Sequence, residues 1–199
     1  MANFGLSRPI IARFDAEKGT YSDVMKCGRA VNTSVTPNYN EAHLNADNMQ
    51  VDEIVEFKNA TVELGVDTIP VKAGEIMLGH KIGEDGAETS NTEDSGEYVG
   101  YGFITAERVN ENTQYRACFL PKVKFREGAE SYQTKGDSIQ FSTPTLSGVA
   151  LGNDKKDWRV KSPYLRTEKE CDDWIMSQMG LGEKEPVPPA PEETEEDIV

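Results

Sequence analysis

The chain has 199 residues, with 21 Lys and Arg against 35 Asp and Glu and a net charge of −14. That length supports one substantial domain with its own core. The acidic balance excludes a protein that grips nucleic acid through clustered Lys and Arg, and no stretch approaches the roughly 18 apolar residues of a membrane helix.

Residues 1–9 show no basic cluster followed by an apolar run, so no secretory signal is expected. The cysteines, Cys27, Cys118 and Cys171, are odd in number and form no CxxC pair. Buried reduced thiols are the expectation, and a disulfide framework or zinc site is not.

Taken in chain order, the first strand candidates are 9–14, 28–36 and 51–57. Between the last two, 37–50 is polar and reads as a long loop. Ala60, Val62, Leu64 and Val66 alternate with Thr61, Glu63, Gly65 and Asp67, the pattern of a half-buried strand. A short helix is predicted over 71–78, with Pro70 at its start and Gly79 at its end. A second long polar loop spans 80–97. The stretch 98–106 is β-rich, and Gly100 and Gly102 within it mark a bend or a close backbone approach. A turn at 110–112 leads into the alternation of Tyr115, Ala117 and Phe119. Further strands are expected at 123–126, 138–143, 148–151 and 158–160.

Thr167 and Glu170 form a T-x-x-E capping box. Cys171, Trp174, Ile175 and Met179 follow at helical spacing, and Gly180 closes the helix. The apolar stripe is expected to pack on a sheet face of the same domain. Residues 1–179 therefore read as a single mainly β domain with short helices, of sandwich or partial-barrel type. Residues 180–199 hold four prolines and seven acids against one lysine, and read as a disordered acidic tail.

Motifs for catalysis are missing. His43 and His80 are far apart, sit in polar contexts and match no ligand spacing, so isolated surface histidines are expected. Glu84, Asp85, Glu88, Glu93 and Asp94 do not follow calcium-loop spacing. No phosphate loop, nucleophile elbow or singled-out carboxylate pair is present. Neither enzyme activity nor a cofactor is expected.

The run Tyr115-Arg116-Ala117-Cys118-Phe119-Leu120-Pro121-Lys122-Val123-Lys124-Phe125 is followed by a second run, Gln133-Thr134-Lys135-Gly136-Asp137-Ser138-Ile139-Gln140-Phe141-Ser142-Thr143-Pro144-Thr145-Leu146-Ser147-Gly148. The ordered pair resembles the major tail protein family of siphophages and Gram-positive prophages. Val62 to Asp67 before a short helix ending Met77-Leu78-Gly79-His80, the strand Tyr98 to Phe103, and Asn45-Ala46-Asp47-Asn48 extend the resemblance to about residues 30–165.

The resemblance implies a tail-tube fold whose subunits form hexameric rings stacked head to tail. It implies a virion tail assembled in the host cytoplasm, with tape-measure, terminator and distal tail proteins as partners. DNA would pass through the lumen without specific binding. Asp52, Glu56 and Glu63 are candidate lumen acids, placed to repel phosphates. Asn38, Tyr39, Asn40, Glu41, His43, Asn45 and Asp47 form the candidate inter-ring loop. The competing readings are a tail terminator, the tube of a contractile injection system, and a carbohydrate-binding or adhesin-like sandwich with an exposed aromatic platform.

Overall fold

The computed structural model describes residues 3–46, 49–109, 112–129, 134 and 142–182, and for Asn45 and Ala46 only the backbone. The expected strand at 138–143 and the acidic tail fall largely outside these residues.

The chain is mainly β. Its strands are β1 (Asn3–Asp15), β2 (Thr20–Lys26), β3 (Ala30–Ala46), β4 (Met49–Val66), β5 (Lys81–Ile82), β6 (Glu88–Thr89), β7 (Tyr98–Val109), β8 (Asn112–Glu127), β9 (Thr145–Leu151) and β10 (Val160–Lys161). Its helices are α1 (Val71–Leu78) and α2 (Glu168–Gln178). One large antiparallel sheet runs β2-β1-β7-β8-β9-β4-β3, with β10 also pairing β8, and β5 and β6 form a separate hairpin. The sheet curls without closing. Tyr101 of β7 reaches across its concave side to within 3.1 Å of the Thr33 hydroxyl on β3.

The alternation expected at 60–66 continues a much longer strand. Ala60, Val62, Leu64 and Val66 are fully buried on the concave side, with Ile11, Tyr101, Leu120 and Val123 from the neighbouring strands. Ala73, Ile76 and Met77 of α1 pack into the same core. The strand β2 was not foreseen: its burial is mostly partial or absent, so it carries little apolar alternation to read.

The convex side holds a second cluster. Cys171 and Ile175 of α2 and Met179 at its C-cap lie on Ile10, Ala12, Ile104, Ala117 and Phe119, so the helix packs within its own domain as expected. Glycines make the close approach possible. A Cβ at Gly102 would lie 2.8 Å from the Ile175 side chain, and one at Gly100 would lie 2.6 Å from the Tyr21 ring. The helix ends match their sequence signals. The Thr167 hydroxyl accepts from the Glu170 N–H, while the Glu170 carboxylate accepts from the Arg166 N–H, one residue earlier than in a standard box. At the other end the N–H groups of Gly180 and Leu181 bond the carbonyls of Ser177 and Met176, a Schellman closure with Gly180 at φ +72°. Arg8, at φ +53° in an irregularity of β1, pairs with Glu168 and Asp172 and fastens the helix to the strand.

Candidate assembly interface

The segment 37–50, expected as a loop, is strand. β3 pairs β4 continuously from Ala30↔Val66 out to Ala46↔Met49. Beyond Ala60, however, β4 has no second neighbour among the described residues, because β9 pairs with residues 60–65. The outer part of the hairpin is therefore a two-stranded arm extending past the sheet. The loop reading failed because polar residues alternate along an arm that has no core beneath it.

Register assigns the side chains of the arm to two faces, since directly paired residues share a face and successive ones alternate. On the face continuing the core lie Tyr39/Phe57, Glu41/Val55 and His43/Glu53. On the opposite face lie Asn38/Asn59, Asn40/Glu56, Ala42/Ile54 and Leu44/Asp52. A register shift passes over Lys58 between Asn59 and Phe57. This bulge changes the parity of β4. It puts Glu63, an odd-numbered residue, on the same convex face as the even-numbered Asp52 and Glu56. The three candidate lumen acids thus share one exposed face. In the sheet that face is of mixed charge: Glu63 pairs with Ser147, which pairs in turn with Arg126 of β8.

The candidate loop residues are accordingly divided. Asn38 donates to Asn59 Oδ1 at 2.9 Å and Thr61 Oγ1 at 3.0 Å, pinning the strands together on the convex face. Tyr39 meets Phe57 edge-on, and Phe57 stacks on Trp158 at 4.8 Å, with the Arg159 guanidinium 4.4 Å from the same indole. The Trp158 ring is thus engaged within the domain. His43 lies 3.2 Å from the Gln50 amide, and Glu41, His43 and Glu53 bring one ligand atom each within 4.8 Å of one another. A divalent cation could be held there, although all three side chains are exposed. Asn45 pairs with Gln50 through the backbone, and Asp47 lies outside the described residues.

The arm is apolar where water should reach it. Val51 is 62% exposed, Ile54 57% and Val55 53%, and Leu44 and Met49 are also exposed. An isolated two-stranded ribbon is marginal in water, and clustered exposed apolar side chains mark an interaction surface. Among the described residues, both ends of the large sheet are open as well: there β2 pairs only with β1, and β3 only with β4. Pro37 in β3 is compatible with an edge, where a missing N–H breaks no internal ladder.

His80 is not an isolated surface residue. It is buried, 8% exposed, because Gly79 at φ +82° ends α1 and turns the chain back under the β5–β6 hairpin. Its Nδ1 lies 2.5 Å from Glu88 and its Nε2 2.9 Å from Glu127. Ser90 Oγ lies 3.3 Å from the same Nε2, and a cavity of about 500 Å³ opens beside the group. Ser90, His80 and Glu88 have the order of nucleophile, base and orienting acid. The second carboxylate changes the chemistry. An acid stands at each ring nitrogen, so Ser90 shares Nε2 with the Glu127 carboxylate, which lies closer, and does not face that nitrogen alone. The cluster serves to tie the small hairpin to β8. Sequence spacing could not reveal it, because Glu127 is brought to His80 only by the sheet.

All three cysteines are free and buried. Burial pushes the Cys27 thiol up to about 12 and Cys171 likewise, so neither is poised as a nucleophile.

No protein-family model matches this chain, and no curated protein matches it.

Proposed function

We propose that the chain is a self-assembling structural subunit, stacked as rings into the tube of a long-tailed phage tail. The observation that carries the assembly part is the β3–β4 arm, which stretches beyond its own core with apolar side chains exposed on both faces. A neighbouring copy supplies the missing contact. The resemblance of residues 30–165 to major tail proteins supplies the particular assembly, with tape-measure, terminator and distal tail proteins as partners.

The physics is consistent with such a role. Open edges are a liability that a ring removes by pairing each subunit with the next. Stacking is a heterologous contact and propagates as a filament. Obligate contacts of this type bury on the order of 2,000 Å² or more. Asp52, Glu56 and Glu63, sharing one face, would turn negative charge toward passing DNA.

Negative-stain imaging of concentrated protein, with and without a tail-initiation complex, tests the reading. Long hollow rods are expected. A single stable ring would indicate a terminator, and protein that stays monomeric with the initiation complex present would overturn the proposal. Charge reversal of Asp52, Glu56 and Glu63 to Lys should slow DNA ejection while rods still form. Normal ejection kinetics would remove these acids from the channel.

A further inference from the structure

Three cations without an ion-pair partner among the described residues come together at one place in this molecule. Among the described residues, Arg116 of β8, Arg159 and Lys161 of β10 have no carboxylate within salt-bridge distance. All three line one cavity of about 300 Å³ at the open end of the curled sheet, between the start of β1 and Thr33 and Val35 of β3. Their charges converge. Burial pushes the Cys118 thiol up to about 11, while Lys161, Arg159 and Arg116 all pull it back down.

Two of the cations are held in place. Arg116 Nε donates to the Ser162 carbonyl at 3.0 Å and its guanidinium lies 5.2 Å from the Tyr164 ring centroid. Arg159 lies over Trp158. The one carboxylate in the lining, Glu107, accepts from the Tyr164 hydroxyl at 2.9 Å. Leu6, Val35 and Phe103 provide apolar wall. Three like charges against one acid, in a chain of net charge −14, form a focused positive site that favours an anionic ligand.

We propose that this cavity is the docking site for the acidic segment 183–199 of the same chain. That segment carries Glu183, Glu185, Glu192, Glu193, Glu195, Glu196 and Asp197 against Lys184 alone, and its prolines and Val187 suit the apolar wall. Fully extended it spans on the order of 55 Å, against a radius of gyration of about 16 Å for a domain of this length. It can therefore turn from the end of α2 back to the far end of the sheet. Covalent attachment supplies a millimolar-scale effective concentration, on the order of 1 mM. The inference is independent of the tail-tube reading.

The test uses the full chain with Thr194→Cys carrying a nitroxide; the three native thiols are buried and escape the label. Paramagnetic broadening of amide NMR signals should concentrate at 105–107, 116–118 and 159–161. Arg159→Glu with Lys161→Glu, both exposed positions, should reduce that broadening at least fivefold with the rest of the spectrum unchanged. Absence of broadening there, or equal broadening in the double variant, overturns the proposal. Broadening that passes to nitroxide-free chains in a mixed sample assigns the tail to a second copy and overturns docking within one chain.

Discussion

The two halves of β4 are one strand with two fates. Residues 60–66 lie between β3 and β9 with the core beneath, and their alternate side chains are fully buried. Among the described residues, 49–57 lie against β3 alone, and Val51, Ile54 and Val55 are more than half exposed. Hydrophobic side chains occur in both halves, so composition does not separate them. What separates them is the second neighbour, and the bulge at Lys58 sits at the junction. The inner half holds the domain together; the outer half contributes little to an isolated subunit and acquires a role only in contact with something else.

Substitutions can break this contrast at either end. Leu64→Ala removes a fully buried side chain and should cost about 2–5 kcal/mol in denaturant unfolding. A loss below about 1 kcal/mol would mean the inner half is not the core. Gly102→Val drives a side chain into Ile175 and should cost about 1–3 kcal/mol through overpacking. Retention of full stability would show that α2 does not lie tight on β7. Thr167→Ala loses the acceptor for the Glu170 N–H and should lower stability by about 1 kcal/mol, read as a drop in melting temperature.

The smallest effect on stability is expected in the arm. Ile54→Asp with Val55→Asp, one change on each face, should alter the stability of the isolated chain by no more than about 0.5 kcal/mol. The same variant should form no rods. A large stability loss would instead mean that the arm folds back onto its own domain.

Local chemistry was legible wherever it is decided within a few residues. Thr167, Glu170 and Gly180 marked both ends of α2, and Pro70 and Gly79 bounded α1, because caps are contacts between near neighbours. Gly100 and Gly102 marked a close approach, although what approaches them, Tyr21 and Ile175, came only from the fold. The arm was misread as a loop because length and polarity describe loops and solvent-exposed ribbons equally well. His80 was misread because its two acids arrive from β6 and from β8, and no spacing encodes that meeting.

By itself the sequence determined the β-rich class, the two helices with their caps, the buried alternation at 60–66 and the unreactive cysteines. Each of these follows from periodicity or from contacts a few residues apart. Only tertiary structure decided which strands have two neighbours. That settled which apolar residues are core and which are left facing water, and which charges share a face. The reason is that burial and cross-strand register depend on pairing between distant segments, and a single residue's bulge at Lys58 reassigns the side chains from Phe57 to Asp52.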